Sequence, residues 1–266
     1  MAPAYIAVFV VCFLASLLGP LCGIGGGVII KPVVDALGVM PIAAVSFLSS
    51  VSVLTMALAT LAQNAVARTS TVNTRSLLPL AIGSAAGGVV GKALFNALSG
   101  LFPDAETVGA VQAAVLIALS VLVLAYTLNK GRVHGLRIEA TVPKIAVGFV
   151  AGACWSFLGI GGGPFNLAIL TFCFAMESKP AAQASLFIIV FSQAASLIYS
   201  LASGSVPDVA PMALAGACAA AIAGSVVGRR LVANMDSASI DRLYLFALLL
   251  IILISLYNAV HFAGVL

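Results

Sequence analysis

The sequence predicts an all-α integral membrane protein made of two pseudo-symmetric halves, and its composition, segment lengths and internal repeat support this. Of the 266 residues, 62% are hydrophobic and only 8% are charged. A water-soluble exterior cannot be built from such a composition, whereas lipid accepts apolar side chains. The apolar segments lack the alternation of barrel strands, and helices satisfy their own backbone groups in hydrocarbon.

Ten apolar segments are arranged as five before and five after a basic linker. The first five cover residues 4–21, a short stretch at 27–39, then 42–63, 77–98 and 108–128. The last five cover residues 145–158, a short stretch at 164–176, then 181–201, 209–227 and 240–260. We therefore predict a first transmembrane repeat at 1–128, a cytoplasmic linker at 129–144 and a second transmembrane repeat at 145–266.

The two halves share sequence features in the same order. Gly-Ile-Gly-Gly-Gly occupies residues 23–27 and again 159–163, and after each copy a proline, Pro41 or Pro180, opens a long segment. The fourth segment of each half carries small residues every four positions: Gly83, Gly87 and Gly91 in one, and Gly216, Ala220, Gly224 and Gly228 in the other. Small residues at this spacing line one helix face, so we predict that another helix approaches it closely.

The basic residues favour an inverted arrangement of the halves. If each half makes an odd number of crossings, or folds its short segment back into the membrane, Lys92 alone lies outside and ten basic residues lie in the cytoplasm. Those ten are Arg68, Arg75, Lys130, Arg132, Arg137, Lys144, Lys179, Arg229, Arg230 and Arg242. If the halves are parallel, with four crossings each, six of these basic residues lie inside and five lie outside. Because cytoplasmic loops are enriched in Lys and Arg, we predict inverted repeats with broken or re-entrant helices and both termini outside.

The glycine motifs give the clearest indication of function. A glycine inside a helix costs about 1 kcal/mol relative to alanine, so three in succession indicate a break. A helix of about 20 Å after each break is short of the roughly 30 Å of hydrocarbon, and its start exposes unpaired N–H groups that suit an anion. We predict an anion site at Gly25, Gly26, Gly27, Gly161, Gly162 and Gly163, with a purely structural turn as the alternative.

Polar side chains near the motifs are further candidates for ligand contact. Asn166 follows the second motif and can donate to an oxyanion. Lys31 is a candidate counter-charge for an anion, although Asp35 lies one helical turn away and an ion pair between them is the alternative. Trp155 precedes the second motif and is a candidate pocket wall. Three further candidates lie in rows of polar residues at near-helical spacing: Ser49, Ser192 and Gln193. Such rows suit hydrogen bonds either to a substrate or to a neighbouring helix.

With these motifs the chain resembles the TauE/SafE sulfite exporter family, also called the TSUP permeases. The resemblance covers nearly the whole length: two Gly-x-Gly-Gly-Gly motifs about 136 residues apart, two similar halves and a basic central linker. It implies a secondary transporter in the cell inner membrane for sulfite, sulfonates such as sulfoacetate, or related sulfur-containing anions. Members are often described as two four-span halves, whereas the charge count favours halves with odd numbers of crossings.

We therefore predict a permease that moves a small anion by alternating access within the lipid bilayer. The sequence offers no clustered carboxylates and no nucleophile with a base, so we expect no enzymatic activity, cofactor or metal. The modest net charge of +4 lies in short loops and does not predict a nucleic-acid partner. The alternatives are a permease for a cation or neutral metabolite and, less favoured, a membrane thiol-redox or assembly factor, for which the five cysteines form no C-x-x-C pair. The substrate, direction, coupling ion and oligomeric state stay open.

Overall fold

The computed structural model describes residues 2–70, 73–101, 105–130, 132–133 and 135–262. They form α1 (Ala2–Cys22), α2 (Gly27–Leu37), α3 (Ile42–Val66), α4 (Thr74–Leu101), α5 (Ala105–Leu128), α6 (Thr141–Leu158), α7 (Gly163–Phe174), α8 (Ser178–Ala202), α9 (Pro211–Val232) and α10 (Ser237–Phe262). No β-strand occurs in these ranges. Eight helices are long and apolar enough to cross a membrane, and α2 and α7 are the two short ones. The predicted all-helical membrane fold is confirmed.

The glycine motifs end α1 and α6 and turn the chain back on itself. Gly26 and Gly162 have φ angles of 61° and 91°, which side chains other than glycine rarely adopt. A methyl group built on Gly26 would lie 3.3 Å from the carbonyl oxygen of Ala15, eleven residues earlier in the chain. Phe165 likewise stacks on Trp155, with ring centroids 4.8 Å apart. The start of each short helix therefore lies beside the helix that precedes it, as a re-entrant hairpin requires.

The helices of the two halves are interleaved. Helix α1 of the first half packs along α9 of the second, and α6 of the second half packs along α4 of the first. Glycine makes this approach possible, because a methyl group on Gly87 would overlap the backbone of Phe149, and one on Gly228 would overlap that of Leu17. The predicted close packing of the small-residue faces is confirmed, and in both cases the partner helix belongs to the other half.

Helices α5 and α10 run antiparallel. Gln112 near the start of α5 and Asn258 near the end of α10 line the same small cavity. At the opposite end of the pair, Lys130 just after α5 places its ammonium 3.4 Å from the carboxylate of Asp241 in the first turns of α10. Because α5 and α10 are the last helices of their respective halves, their opposite directions support the predicted inversion.

Basic residues from distant parts of the chain gather at one end of the protein. Arg229 of α9 donates from Nε to Asn64 Oδ1 at 2.9 Å and from Nη2 to Thr69 Oγ1 at 3.4 Å. Lys179 at the start of α8 donates to the carbonyl oxygen of Met235 at 2.9 Å. These contacts join the end of α3, the end of α9 and the starts of α8 and α10. They place Arg229 beside the loop that follows α3, on the side that the charge count assigns to the cytoplasm.

Candidate functional site

The two glycine turns meet at the centre of the protein. A methyl group built on Gly25 would lie 3.4 Å from the carbonyl oxygen of Gly161, so the turns of the two halves are in contact. The same methyl group would lie 3.2 Å from Val53 and 3.1 Å from Ile189. Val53 is the twelfth residue of α3 and Ile189 is the twelfth residue of α8, and each of these helices has 25 residues. The turns therefore lie against the midpoints of two helices long enough to cross the bilayer.

The amide group of Asn166 is aimed at the second turn. Trp155 donates from Nε1 to Asn166 Oδ1 at 2.7 Å. Because an indole N–H can only donate, the amide oxygen must face Trp155 and the NH₂ group must face away from it. Nδ2 lies 2.7 Å from a methyl group built on Gly162 and has no hydrogen-bond partner among the described residues. Asn166 is 2% exposed, and an unpartnered buried donor costs about 1–3 kcal/mol, so this group is a candidate ligand contact.

Backbone amides add to the donors at the second turn. The hydrogen bonds of the described residues leave the N–H groups of Gly161, Gly162 and Gly163 unused. The N–H groups of Phe165 and Asn166 both donate to the carbonyl oxygen of Gly162, which closes the first turn of α7. The start of α7 thus presents three free amides next to the Asn166 NH₂ group. Free N–H groups at the positive end of a helix dipole suit a negatively charged ligand.

Two serines of α3 contribute hydroxyl groups to the turns. Ser49 Oγ lies 2.9 Å from a methyl group built on Gly27, and Ser46 Oγ lies 3.1 Å from one built on Gly159. Both serines are buried, and neither hydroxyl has a partner among the described residues. Both serines belong to the row of polar residues that the sequence shows in this segment, from which Ser49 was selected as the candidate ligand contact. The first half therefore supplies donors to the turns of both halves.

The remaining sequence candidates lie in different environments. Gln193 is fully buried in α8, and neither its amide oxygen nor its nitrogen has a partner in the described part of the chain. Ser192 instead donates to the carbonyl oxygen of Ile189 at 3.2 Å, within its own helix. Lys31 forms an ion pair with Asp35 at 2.7 Å, which is the alternative that the one-turn spacing predicts. Its role as a counter-charge for an anion stays a prediction.

Lys92 is buried within a helix, whereas the charge count predicts that it lies in a loop outside the membrane. Its side chain is buried in α4 at 6% exposure, with Nζ 4.8 Å from the centroid of the Phe95 ring. No carboxylate within the described ranges forms a salt bridge with it. A buried lysine without a carboxylate partner is costly in a membrane, and the charge count, which places Lys92 in a loop, could not reveal it.

A cavity of about 660 Å³ lies between α5, α6 and α7. Trp155 forms part of its wall, but most of the lining is apolar, which does not suit an anion. No group of three or more His, Cys, Asp or Glu side chains within the described ranges could hold a metal ion. The five cysteines are free thiols. Unpartnered buried polar atoms occur instead at the glycine turns, where Ser46, Ser49 and Asn166 lie, and beside Lys31.

Comparisons with known proteins agree with this architecture. The family model described as sulfite exporter TauE/SafE matches residues 8–256. The chain is 27% identical over 259 residues to the probable membrane transporter protein YunE of Bacillus subtilis (strain 168), covering 86% of this chain and 90% of that protein. No solved structure matches the chain. The match over nearly all of the helical region, together with eight apolar spans, shows that this multi-pass membrane protein belongs to the TauE/SafE sulfite exporter family of membrane transporters.

Proposed function

We propose that the protein carries sulfite, a small sulfonate or a related sulfur-containing oxyanion, and that the second glycine turn holds the anion. The observation that carries this proposal is the NH₂ group of Asn166, which is buried, unpartnered and fixed in direction by Trp155. Three backbone amides and the hydroxyl groups of Ser46 and Ser49 surround the same turns. The sulfur-containing substrate class is suggested by the description of the matching family.

The distribution of charge also supports an anion. Asp35 is the one acidic residue that is buried in the described part of the chain, and its carboxylate is paired with Lys31. The glycine turns are therefore surrounded by N–H and O–H donors, and the Asp35 carboxylate two turns along α2 is paired with Lys31. A site of this kind binds an oxyanion by hydrogen bonds and disfavours a cation, which argues against a cation as the main substrate.

Transport would follow an alternating-access cycle between the two inverted repeats, 1–128 and 145–266. Each glycine turn belongs to one half and touches the other, and Ser185 of the second half donates to the carbonyl oxygen of Gly23 at 2.8 Å. A rocking motion of one half against the other would open the turns first to one side of the membrane and then to the other. No covalent step is required in this cycle.

The proposal can be tested by replacing Asn166 with aspartate in the purified protein. Asn166→Asp keeps an oxygen for Trp155 but replaces the NH₂ donor by an anionic oxygen. We expect sulfite affinity to fall by about ten- to a hundredfold, because a hydrogen bond to a charged group contributes about 1.5–3 kcal/mol. Asn96→Asp is the matched control, since its amide donates to Ser205 Oγ away from the turns. Affinity would be measured calorimetrically for sulfite, sulfate, thiosulfate and a small sulfonate.

Sulfite flux into proteoliposomes would be measured for the same pair of variants. Unchanged binding and flux in Asn166→Asp would remove the second glycine turn as the site. Binding of a neutral solute or a cation, without any response to the four anions, would support the alternative permease instead.

A further inference from the structure

A second group of buried polar side chains lies next to the glycine turns, between α2, α5 and α10. It encloses about 20 Å³, which is room for about one water molecule or one bare monovalent cation. The polar residues that line it are Lys31, Asp35, Gln112, Ser255 and Asn258. All five are at most 8% exposed. They come from three helices: Lys31 and Asp35 lie on α2, Gln112 on α5, and Ser255 and Asn258 on α10.

Hydrogen bonds fix which atoms of the two amides remain available. Gln112 Nε2 donates to the carbonyl oxygen of Phe157 at 2.7 Å, and Asn258 Nδ2 donates to that of Pro32 at 2.8 Å. Carbonyl oxygens can only accept, so the nitrogen of each amide is committed to the backbone and its oxygen is left over. The hydroxyl of Ser255 likewise has no partner among the described residues.

The atoms left without a partner in this cluster are all oxygens. They are Asp35 Oδ1, Gln112 Oε1, Asn258 Oδ1 and Ser255 Oγ. Three of these can only accept while the carboxyl is ionised, so they call for hydrogen-bond donors or a cation beyond the one bond that Lys31 makes to Asp35. Carboxylate, amide and hydroxyl oxygens are the ligands that hard cations prefer. The opposite end of the α5–α10 pair contrasts with it, because Lys130, Asp241 and Ser178 there bond to one another.

We propose that this cluster binds a bare monovalent cation of the Na⁺ type, with Asp35 as the charged ligand and Gln112, Ser255 and Asn258 as neutral oxygen ligands. Lys31 holds the other oxygen of the same carboxylate at 2.7 Å, so the lysine and the bound cation compete for one negative charge. Cation binding therefore draws Asp35 away from Lys31.

The cation site and the glycine turns share two structural elements. Helix α2 begins at Gly27 in the first turn and carries Lys31 and Asp35 one and two turns further on. Ile160 of the second turn lines the cation cavity, and its carbonyl oxygen would lie 2.5 Å from a methyl group built on Gly27. A shift of α2 on cation binding would therefore move the contact between the turns. This coupling to the anion rests on the proposed function, whereas cation binding itself does not.

Cation binding can be measured on the purified full-length protein without any sulfur-containing anion. Thermal unfolding would be followed in NaCl and in choline chloride of equal concentration, and Na⁺ affinity taken from the dependence on Na⁺ concentration. We expect Na⁺ to stabilise the wild type. Ser255→Ala should weaken Na⁺ binding by about tenfold, because it removes one oxygen ligand and leaves the packing of α10 intact. Lys31→Met should strengthen it, since the competing ammonium is gone.

Ser120→Ala is the matched control. Ser120 is a buried α5 serine whose hydroxyl also lacks a partner, but it does not line the cavity. If Na⁺ has no effect relative to choline, or if Ser255→Ala responds like Ser120→Ala, the cluster holds a water molecule and the proposal fails.

Sulfite flux in proteoliposomes with an imposed Na⁺ gradient tests the coupling separately. Flux that rises with an inward Na⁺ gradient in the wild type, and loses that response in Ser255→Ala, would support it. Sulfite flux that does not change with the Na⁺ gradient would refute the coupling but leave the proposed function intact. Na⁺ binding in a protein that neither binds nor moves sulfite would instead refute the proposed function.

Discussion

Replacing Gly23 with alanine tests the contact of the first glycine turn with the second half of the protein. Gly23 has a φ of 62°, and a methyl group on it would lie 2.5 Å from the Cα atom of Ala182 in α8. Gly204 has nearly the same φ, 63°, but a methyl group there meets nothing within 4 Å. The two substitutions therefore share the backbone strain, about 1–2 kcal/mol, and differ in packing.

The packing difference sets the expected magnitude. Overfilling a packed site costs about 1–3 kcal/mol, and loss of the Ser185 hydrogen bond to the Gly23 carbonyl oxygen would add about 1 kcal/mol. We expect Gly23→Ala to be less stable than Gly204→Ala by about 1–4 kcal/mol. SDS titration in mixed micelles can measure this, with the fluorescence of Trp155, the sole tryptophan, reporting unfolding. Equal losses in the two variants would refute the contact between the first turn and α8.

Two further substitutions test other features of the fold. Lys92→Met should stabilise the protein in the same titration, because it removes a buried ammonium that has no carboxylate partner and nearly keeps the side-chain length. Lower stability of this variant would mean that other groups compensate the charge of Lys92. Asp236→Ala should destabilise α10, since Asp236 Oδ1 accepts the Ser239 N–H at 2.9 Å. Hydrogen bonding to Ser239 lowers the pKa of Asp236, so the carboxylate stabilises the fold above about pH 4 and this contribution is lost as the pH falls below it. The gap between wild type and Asp236→Ala should therefore be wider at about pH 6 than at about pH 3, and an equal gap would contradict this assignment.

The sequence was sufficient to predict the membrane helices and their interruptions. Hydropathy alone marks the long segments, and the glycine motifs mark the breaks because φ angles such as that of Gly162 are open to glycine and rarely to other residues. The ion pair between Lys31 and Asp35 follows from their separation of four residues on one helix. These features are local, so neighbouring residues contain the information that specifies them.

Features that depend on packing between distant helices could not be predicted in the same way. The glycines of α4 and α9 predict a close neighbour but do not identify it, and each neighbour turned out to belong to the opposite half. Gln112 and Asn258 look like ordinary isolated polar residues in the sequence. Only the antiparallel contact of α5 with α10 brings them to the same cavity. The direction of the Asn166 amide likewise depends on the indole of Trp155, and spacing alone does not fix it.

The exchange of helices between the halves has a consequence for biosynthesis. While the first half is inserted, α1 and α4 enter the bilayer before α6 and α9 exist, and their close-packing faces can meet only lipid. Helix α4 gains its partner when α6 is inserted, and α1 must wait for α9, close to the end of translation. A ribosome that stops after the linker would release a fragment with two unfilled grooves, open to aggregation or to membrane quality control. Because these helix pairs join the two halves, two fragments divided at the linker and produced in the same cell should associate and restore a working transporter.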